Sequence, residues 1–504
     1  MKKIILSVFS ALFLLAGCGE KETTGSKTEE KKILTVAQSA DAKSLDPHAT
    51  NDSVSSGVMV QIYDPLVGID ENLKVVPRLA ESWKEISPTK YEFTLKKGVK
   101  FHNGEELKAS DVVFTYNRML NSPRVSHIVG PMKKITAKSD YVVEVELSNP
   151  FAPMLYHLAH PASLILSEKA VTESGDSYGQ NPVGTGPFKF LSWTPGDRIV
   201  LENNENYFRE PSKIDEVNIR VIVEASNRVI GLETGELDMS INIAPVDINQ
   251  VRSSENLLLL EDTGFGMNYL GFNTVKPPFN NKNIRKAVAH AVKADDIIEA
   301  VVLNAGTRAS TPVPKGVFGH DDSIEPIEWN PELSKELIAK EGLENQIKTK
   351  IWTNDDVTRL QIAQIVQSQL KDVGIDASIE SLEWGAFLEG TAREEHEIII
   401  LGWGNVTGDA DYSLYPVFNT ATDPSAGRRT VYSNPKVDEL LNKGRETTDP
   451  NIRLEVYSQA QEIIKDDAPL VPLYYPKYNV GINKKVKNFK ISPMGHHSFY
   501  GVEL

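Results

Sequence analysis

The sequence predicts a mixed α/β fold, because apolar side chains recur along the chain with two different periods. Tyr91–Leu95 alternate between apolar and polar side chains, the pattern of a half-buried strand. Between residues 284 and 292 the apolar side chains instead recur at the spacing of one helical face. Ile398–Trp403 form a continuous apolar run, typical of a strand covered on both faces. Strand and helix patterns therefore alternate, as expected of an α/β protein.

The first half of the chain contains two further strand patterns and one helix pattern. Ile33–Ala37 predict a short buried strand, and Tyr141–Leu147 predict another strand. Ser110 can cap a helix that ends at Asn121-Ser122-Pro123, since proline and small polar residues stop helices. The apolar positions of this helix are predicted at Val113, Phe114 and Met119.

The second half is predicted to contain three helices. The stripe described above consists of Ile284, Ala287, Val288, Ala291 and Val292. A second stripe consists of Ile362, Ile365, Val366, Leu370 and Val373, and Gly374 ends it. The third helix is predicted from Asn451 to Lys465. We interpret both stripes as core, and no long linker separates them from the strands.

Length and charge exclude several classes of protein. The 504 residues suffice for roughly two to four domains. Lys and Arg total 54 against 69 Asp and Glu, so the net charge of −15 disfavours nucleic acid as a general partner. Cys18 is the only cysteine, which excludes a disulfide framework and a thiolate metal site.

The N-terminus has the order of an export signal. Lys2 and Lys3 precede an apolar run, Ile4–Ala16, that is too short to cross a hydrocarbon core of about 30 Å. The run ends in Leu-Ala-Gly-Cys, which resembles the lipobox of bacterial lipoproteins and implies that Cys18 is lipidated. An ordinary signal that happens to contain a cysteine is the alternative. We therefore expect residues 1–17 to be a signal peptide, residues 18–32 a flexible tether, and the body to lie outside the cytoplasm, anchored by lipid.

No catalytic motif is present in the sequence. It lacks the Gly-x-Ser-x-Gly elbow of hydrolases and the P-loop of nucleotide-binding proteins. Glu394–Glu397 contain one histidine without a partner at helical spacing, so we predict an acidic loop there. His496 and His497 are the candidate ligands for nickel or copper. Adjacent residues of a strand point to opposite faces, however, so both can hold one ion only from a loop. No cofactor is expected.

A series of short motifs resembles the extracytoplasmic solute-binding proteins of family 5, which serve ABC importers of oligopeptides, dipeptides, nickel and glutathione. In order they are SLDP (44–47), PRLAESW (77–83), KGVKFHNG (97–104), ASDVVFT (109–115), PVGTGPF (182–188), NYF (206–208), TGELD (234–238), NIRKA (283–287), GW (402–403) and YSNPKVD (432–438). The resemblance spans nearly the whole body of the chain.

The resemblance implies a two-lobed fold of the type II periplasmic-binding-protein kind (cluster C) with an additional inserted domain. The expected bounds are 33–67, 181–276 and 475–504 for lobe I, 68–180 for the inserted domain, and 277–474 for lobe II. Such a protein works by closing its lobes on a ligand, and a transporter then recognises the closed form.

The resemblance also implies where a peptide's charged ends would bind. In dipeptide- and oligopeptide-binding relatives an aspartate three residues after the tryptophan of the Gly-Trp motif holds the ligand's ammonium group, but here that position is Val406. Asp409 or Asp411 is left for this role, because an ammonium removed from water needs a charge-assisted acceptor. We favour Asp409, with turn capping as its alternative role. For the ligand's carboxylate we favour Arg428 over Arg429.

Further contacts are expected from residues near these anchors. Asn268 and Tyr269 end a predicted strand where the family touches the ligand backbone, although Asn268 can also serve as a turn former. Trp403 and Tyr412 are predicted to form walls of the pocket. For Trp384 a core position is favoured over the pocket, and His160 is a cleft candidate with a structural role as its alternative.

These expectations combine into one function with stated rivals. Asn51-Asp52-Ser53, His160-Pro161-Ala162, 182–187 and 408–412 look most like the glutathione-binding branch. We therefore expect a monomeric substrate-binding lipoprotein that delivers glutathione or a di- or tripeptide to the permease subunits of an ABC importer. The rivals are a nickel or metallophore receptor that uses His496 and His497, an exported peptide hydrolase, and a receptor for cell-wall peptides with diamino acids.

Overall fold

The computed structural model describes residues 31–504 of the chain. Lys32–Leu504 form one compact unit. The predicted signal peptide, Cys18 and nearly all of the predicted tether lie outside the described residues.

The described part of the chain is a mixed α/β structure built around one large sheet. The strands are β1 (Ile33–Gln38), β2 (Val67–Ile69), β3 (Val75–Pro77), β4 (Ala80–Ser87), β5 (Lys90–Leu95), β6 (Met132–Ser139), β7 (Val142–Leu147), β8 (Phe188–Thr194), β9 (Arg198–Asn203), β10 (Glu216–Val221), β11 (Met239–Ile241), β12 (Leu257–Thr263), β13 (Gly266–Phe272), β14 (Gly306–Arg308), β15 (Lys348–Asn354), β16 (Asp376–Leu382), β17 (Ile398–Gly404) and β18 (Leu470–Asn483). The strand order of the large sheet is β16-β15-β17-β13-β18-β11-β1-β10-β9-β8, and β12 and β14 also pair with β18.

The long strand β18 lies in the middle of this sheet and joins its two halves. Its first residues, 470–474, pair with β13, and residues 477–483 pair with β12. The chain passes between the same regions a second time where β12 leads through Gly264 and Phe265 into β13. Two connections therefore link the N- and C-terminal parts of the sheet, which suits a two-lobed fold; the predicted domain bounds stay a prediction.

A second, antiparallel sheet of order β4-β5-β7-β6 lies within the segment predicted as the inserted domain. Its alternating strands bury Tyr91, Phe93 and Leu95 against their own core. Arg118 connects this segment to the SLDP turn, where its guanidinium donates to both Asp46 carboxylate oxygens at 2.8 and 2.6 Å.

The α-helices pack on both sheets. They are α1 (Ser53–Ile62), α2 (Ala109–Leu120), α3 (Ser126–Val129), α4 (Met154–His157), α5 (Glu168–Ser174), α6 (Ala225–Thr234), α7 (Ile248–Ser253), α8 (Lys282–Ala291), α9 (Ala294–Ala300), α10 (Pro331–Lys340), α11 (Val357–Asp372), α12 (Trp384–Ala392), α13 (Ala410–Phe418), α14 (Pro435–Glu446) and α15 (Pro450–Asp467). The helical stripes predicted in α8 and α11 are confirmed, and both pack against β13, β15 and β17 in one core. Within residues 31–504 no helix is long and apolar enough to span a membrane.

The predicted start and buried face of α2 need correction. Lys108, not Ser110, is the N-cap residue, and Asp111 accepts a hydrogen bond from the Lys108 backbone N–H at 2.9 Å. The buried face consists of Ala109, Val112, Thr115, Tyr116 and Met119, whereas Val113 and Phe114 are half-buried. The prediction failed because the Asp111 side chain, at position N3, fixes the first turn two residues earlier than a cap at Ser110 would.

Candidate functional site

The segments predicted for the two lobes touch each other directly. Asn51 Nδ2 donates to the Ala426 carbonyl at 2.9 Å, and the Lys43 ammonium lies 2.8 Å from a Glu389 carboxylate oxygen. These contacts join the start of α1 to the loop after α13 and to α12. The candidate residues lie on β13 (Asn268, Tyr269), on β17 (Trp403), at the start of α13 (Asp409, Asp411, Tyr412), in the loop after α13 (Arg428) and before the 3₁₀ helix Pro161–Ser163 (His160).

Trp403 and Tyr412 pack together beside this junction. Their ring centroids are 5.4 Å apart, and the Trp403 indole N–H donates to the Tyr412 carbonyl at 2.7 Å. The next loop passes close over the indole, because a Cβ added at Gly427 would lie 2.8 Å from the Trp403 ring. The Tyr412 side chain is buried, which raises the pKa of its hydroxyl. The structure therefore brings these two predicted wall residues together.

Asp409 is held by an arginine of the same predicted lobe. Its two carboxylate oxygens accept from Arg453 at 2.7 and 2.8 Å, and both side chains are buried. Asp409 also caps α13, where it accepts from the Asp411 backbone N–H at 2.9 Å. Burial alone would lower the pKa of Arg453, but the attraction of Asp409 raises it above its usual range. The geometry thus gives Asp409 a positioning role at the start of α13.

Asp411 joins predicted lobe II to the predicted inserted domain. Its carboxylate is 1 % exposed and lies 2.9 Å from Arg445 Nε and 3.0 Å from His157 Nε2. His157 belongs to α4, and its other nitrogen lies 2.7 Å from the Ile128 carbonyl. Burial would raise the pKa of Asp411, but Arg445 and His157 lower it, so the carboxylate stays ionised. Asp411 therefore offsets the charge of the buried Arg445 where predicted lobe II meets the predicted inserted domain.

Asn268 and Tyr269 lie on opposite faces of β13. Asn268 is paired with Gly402 of β17, and its Oδ1 lies 3.2 Å from where a Cβ of Gly402 would be. Tyr269 points into the core on the other face and is fully buried, which raises the pKa of its hydroxyl. Only Asn268 of this pair is half-exposed.

Arg359, which the sequence reasoning missed, lies on the same side of the sheet as Asn268. Its Nη2 is 3.7 Å from the same Cβ position at Gly402, and its Nη1 donates to Asn354 Oδ1 at 2.8 Å. The guanidinium lies 5.5 Å from the ring centroid of Trp384, whose half-buried side chain also stacks on Phe387. No carboxylate of residues 31–504 forms an ion pair with Arg359. An arginine in the first turn of a helix that follows a parallel strand could have been found, because ligands bind at the carboxyl ends of such strands.

The two adjacent arginines after α13 have different surroundings. Arg428 donates to the carbonyls of Thr422 and Tyr432 at 2.8 and 3.3 Å and is half-buried. Arg429 is buried and donates to the carbonyls of Leu388 and Ser425. Burial lowers the pKa of Arg429 to about 10. Both guanidinium groups therefore hold backbone carbonyls of their own lobe.

The remaining candidates are buried side chains. Val406 packs with Tyr412 against the core of the inserted segment. His497 accepts from the Ser492 backbone N–H at 3.1 Å, whereas His496 Nε2 has no hydrogen-bond partner among the described residues. His396, the histidine of the predicted acidic loop, is buried, and its Nε2 lies 2.9 Å from the Arg429 carbonyl. In residues 31–504 no group of three or more histidine, cysteine or carboxylate side chains is arranged to hold a metal ion.

Comparison with known proteins assigns the chain to a family. The sequence profile of the bacterial extracellular solute-binding proteins, family 5, matches residues 74–425. The chain belongs to this family. The glutathione-binding protein GsiB of Pectobacterium atrosepticum is 30% identical over 486 residues, which cover 94% of each chain. The dipeptide-binding protein of Escherichia coli is 29% identical and is covered to 96%, against 94% of this chain.

A solved family 5 structure shows the same fold. The ABC transporter-associated periplasmic binding protein DppA from Helicobacter pylori, in complex with the peptide STSA, superposes with a TM-score of 0.89 at 31% identity. The match covers 94% of this chain and 98% of that one. The predicted family and two-lobed fold are therefore confirmed, and the chain is a solute-binding protein of the extracellular type.

Proposed function

We propose that this family 5 protein is the receptor of an ABC importer and captures a short peptide, glutathione or a di- or tripeptide, by closing two lobes on it. The names of the relatives GsiB and the dipeptide-binding protein support a peptide ligand, as does the peptide bound to the Helicobacter pylori relative. The observation that carries the proposal is that the guanidinium of Arg359, beside Asn268, forms no ion pair with a carboxylate of residues 31–504.

Arg359 and Asn268 together suit the terminal carboxylate of a peptide. A guanidinium binds a carboxylate through two parallel hydrogen bonds, and Nη2 of Arg359 has no partner in the described part of the chain. The amide of Asn268 supplies a donor and an acceptor on the same side of Gly402. The ring of Trp384 lies 5.5 Å from the guanidinium of Arg359 and stabilises its charge by a cation–π contact. This arrangement replaces Arg428 in our proposal, since Arg428 is engaged by its own loop.

The contacts between lobes support capture by closure. Asn51 with Ala426, Lys43 with Glu389, and His157 with Asp411 connect segments that are far apart in sequence. Trp403 and Tyr412 form a wall next to these contacts, and Asp409 and Asp411 hold that wall in place from α13. A ligand enclosed here shifts the population toward the closed form, and the permease recognises that form. In this proposal the protein catalyses no reaction.

The proposal includes the anchoring predicted from the sequence. Lipid on Cys18 would hold the receptor at the outer face of a membrane, and the polar residues 18–32 would let the body reach the permease. We propose that one receptor acts as a monomer.

Arg359→Gln is expected to weaken binding of glutathione or alanyl-alanine about 10- to 100-fold. The change removes charge-assisted hydrogen bonds worth about 1.5–3 kcal/mol. Titration calorimetry on the purified protein measures the loss, and Arg359→Lys, which keeps the charge without the planar fork, should be intermediate.

The matched control is Arg393→Gln, which removes an exposed arginine that pairs with Glu395. This variant should bind like the wild type. If Arg359→Gln binds normally while Arg428→Gln does not, the carboxylate site lies at Arg428 and our assignment is wrong.

A further inference from the structure

His160 carries an N–H group that no atom of residues 31–504 accepts. Its Nδ1 accepts a hydrogen bond from the Ala162 backbone N–H at 2.9 Å, which caps the short 3₁₀ helix Pro161–Ser163. A nitrogen that accepts has no proton, so the proton of the neutral ring is on Nε2. Nε2 has no hydrogen-bond partner among the described residues, and the side chain is 2 % exposed.

The surroundings of His160 keep its ring neutral. Burial lowers its pKa well below the usual value, and the neighbouring His157, His127 and His496 lower it further. A neutral ring with Nδ1 occupied can only donate from Nε2. It therefore offers a hydrogen bond to an oxygen and offers nothing to an ammonium group.

His160 packs against Tyr412, one of the two predicted wall residues. Its ring is 4.7 Å from that of Tyr412, and Tyr412 is bonded to Trp403. Trp403 lies under Gly427, and the preceding Ala426 binds Asn51 of the other lobe. A buried N–H without an acceptor costs free energy comparable to a lost hydrogen bond, so such a group at this place indicates a missing partner.

We propose that the Nε2–H of His160 donates to an oxygen of the captured peptide, a carbonyl or a carboxylate, and that this part of the site does not receive the ammonium group. The inference rests on the proposed function and specifies which chemical group of the ligand lies at the Tyr412 end.

Two substitutions separate the two nitrogens of the ring. His160→Asn keeps an oxygen at the place of Nδ1, so the cap to Ala162 is preserved, but it removes the Nε2 donor. His160→Gln keeps a donor near the place of Nε2 and loses the cap. Titration calorimetry with glutathione and with alanyl-alanine, together with the melting temperature of each variant, tests both. The control is His290→Asn, in a partly exposed histidine whose Nδ1 lies 2.8 Å from the Glu328 carbonyl.

We expect His160→Asn to bind the peptide about 10-fold more weakly at a nearly unchanged melting temperature. His160→Gln should melt lower but bind within a few-fold of the wild type, and His290→Asn should bind normally. Unchanged affinity in His160→Asn would overturn the inference. The Nε2–H would then interact with the face of the Tyr412 ring and not with the ligand. Failure of the wild-type protein to bind either peptide would overturn the proposed function, and this inference with it.

Discussion

Asp409→Asn is expected to lower the free energy of unfolding by about 3–5 kcal/mol, since it leaves the buried guanidinium of Arg453 without its counter-charge. The asparagine has the same shape and caps helices as well as aspartate, so the start of α13 keeps its hydrogen bond to residue 411. The loss therefore reports on the ion pair alone. Urea denaturation of the purified protein measures it.

Asp449→Asn is the matched control for this change. Asp449 caps α15 by accepting from the Asn451 N–H at 2.9 Å, but it is exposed and forms no ion pair within the described residues. Its substitution should change stability by less than about 0.5 kcal/mol. If Asp409→Asn keeps wild-type stability and loses only peptide binding, Asp409 contacts the ligand's ammonium group and its positioning role is wrong.

Acidification is expected to destabilise the protein steeply below pH 6.5. Burial lowers the pKa of His48 to about 3, the pKa of His396 and His497 to about 4, and the pKa of His160 well below its usual value. The native state keeps these rings neutral, whereas the unfolded chain protonates them near pH 6.5. The contribution of these neutral rings to the free energy of unfolding is therefore fully present above pH 6.5. It is lost as the pH falls toward 4.

The expected slope follows from the number of protons taken up on unfolding. These four histidines predict an uptake of about four protons. His102, His127 and His496, whose pKa values are also lowered by burial, add about three more. The free energy of unfolding should therefore fall by about 8 kcal/mol between pH 6 and pH 5. Urea denaturation at half-unit steps from pH 7.5 to 5 gives this slope. The control is His290→Gln, a substitution in a partly exposed histidine outside this group. A free energy of unfolding that is flat over this range would show that the rings of this group are already charged in the native state.

Regular elements with strong periodicity were predictable from the sequence, because local pattern alone decides which face is buried. The stripe of α8 and the apolar run of β17 lie in the core as expected. The start of α2 was not predictable to the residue, since Asp111 competes with Ser110 for the first turn. Such a choice depends on side-chain geometry that spacing does not contain.

The candidate site was less predictable than the fold, because charged residues find partners that are distant in sequence. The place of Asp409 in the chain suggested a ligand-binding carboxylate, but Arg453, 44 residues later, donates hydrogen bonds to that carboxylate. Arg359 was not recognised in the sequence, because it comes beside Asn268 only when β17 pairs with both β15 and β13. The position of the His160 imidazole proton on Nε2 likewise could not be predicted, because it depends on the hydrogen bond from the Ala162 N–H to Nδ1, which forms only in the folded chain.

The measurement that tests the central claim most directly is the unfolding temperature of the purified protein with glutathione, alanyl-alanine, trialanine or Ni²⁺. Our account predicts that at least one peptide raises the temperature, since a ligand at 100 times its dissociation constant adds about 3 kcal/mol to stability. Arg359→Gln should abolish most of this rise. A rise with Ni²⁺ alone, and none with any peptide, would contradict peptide capture and direct attention to His496 and His497.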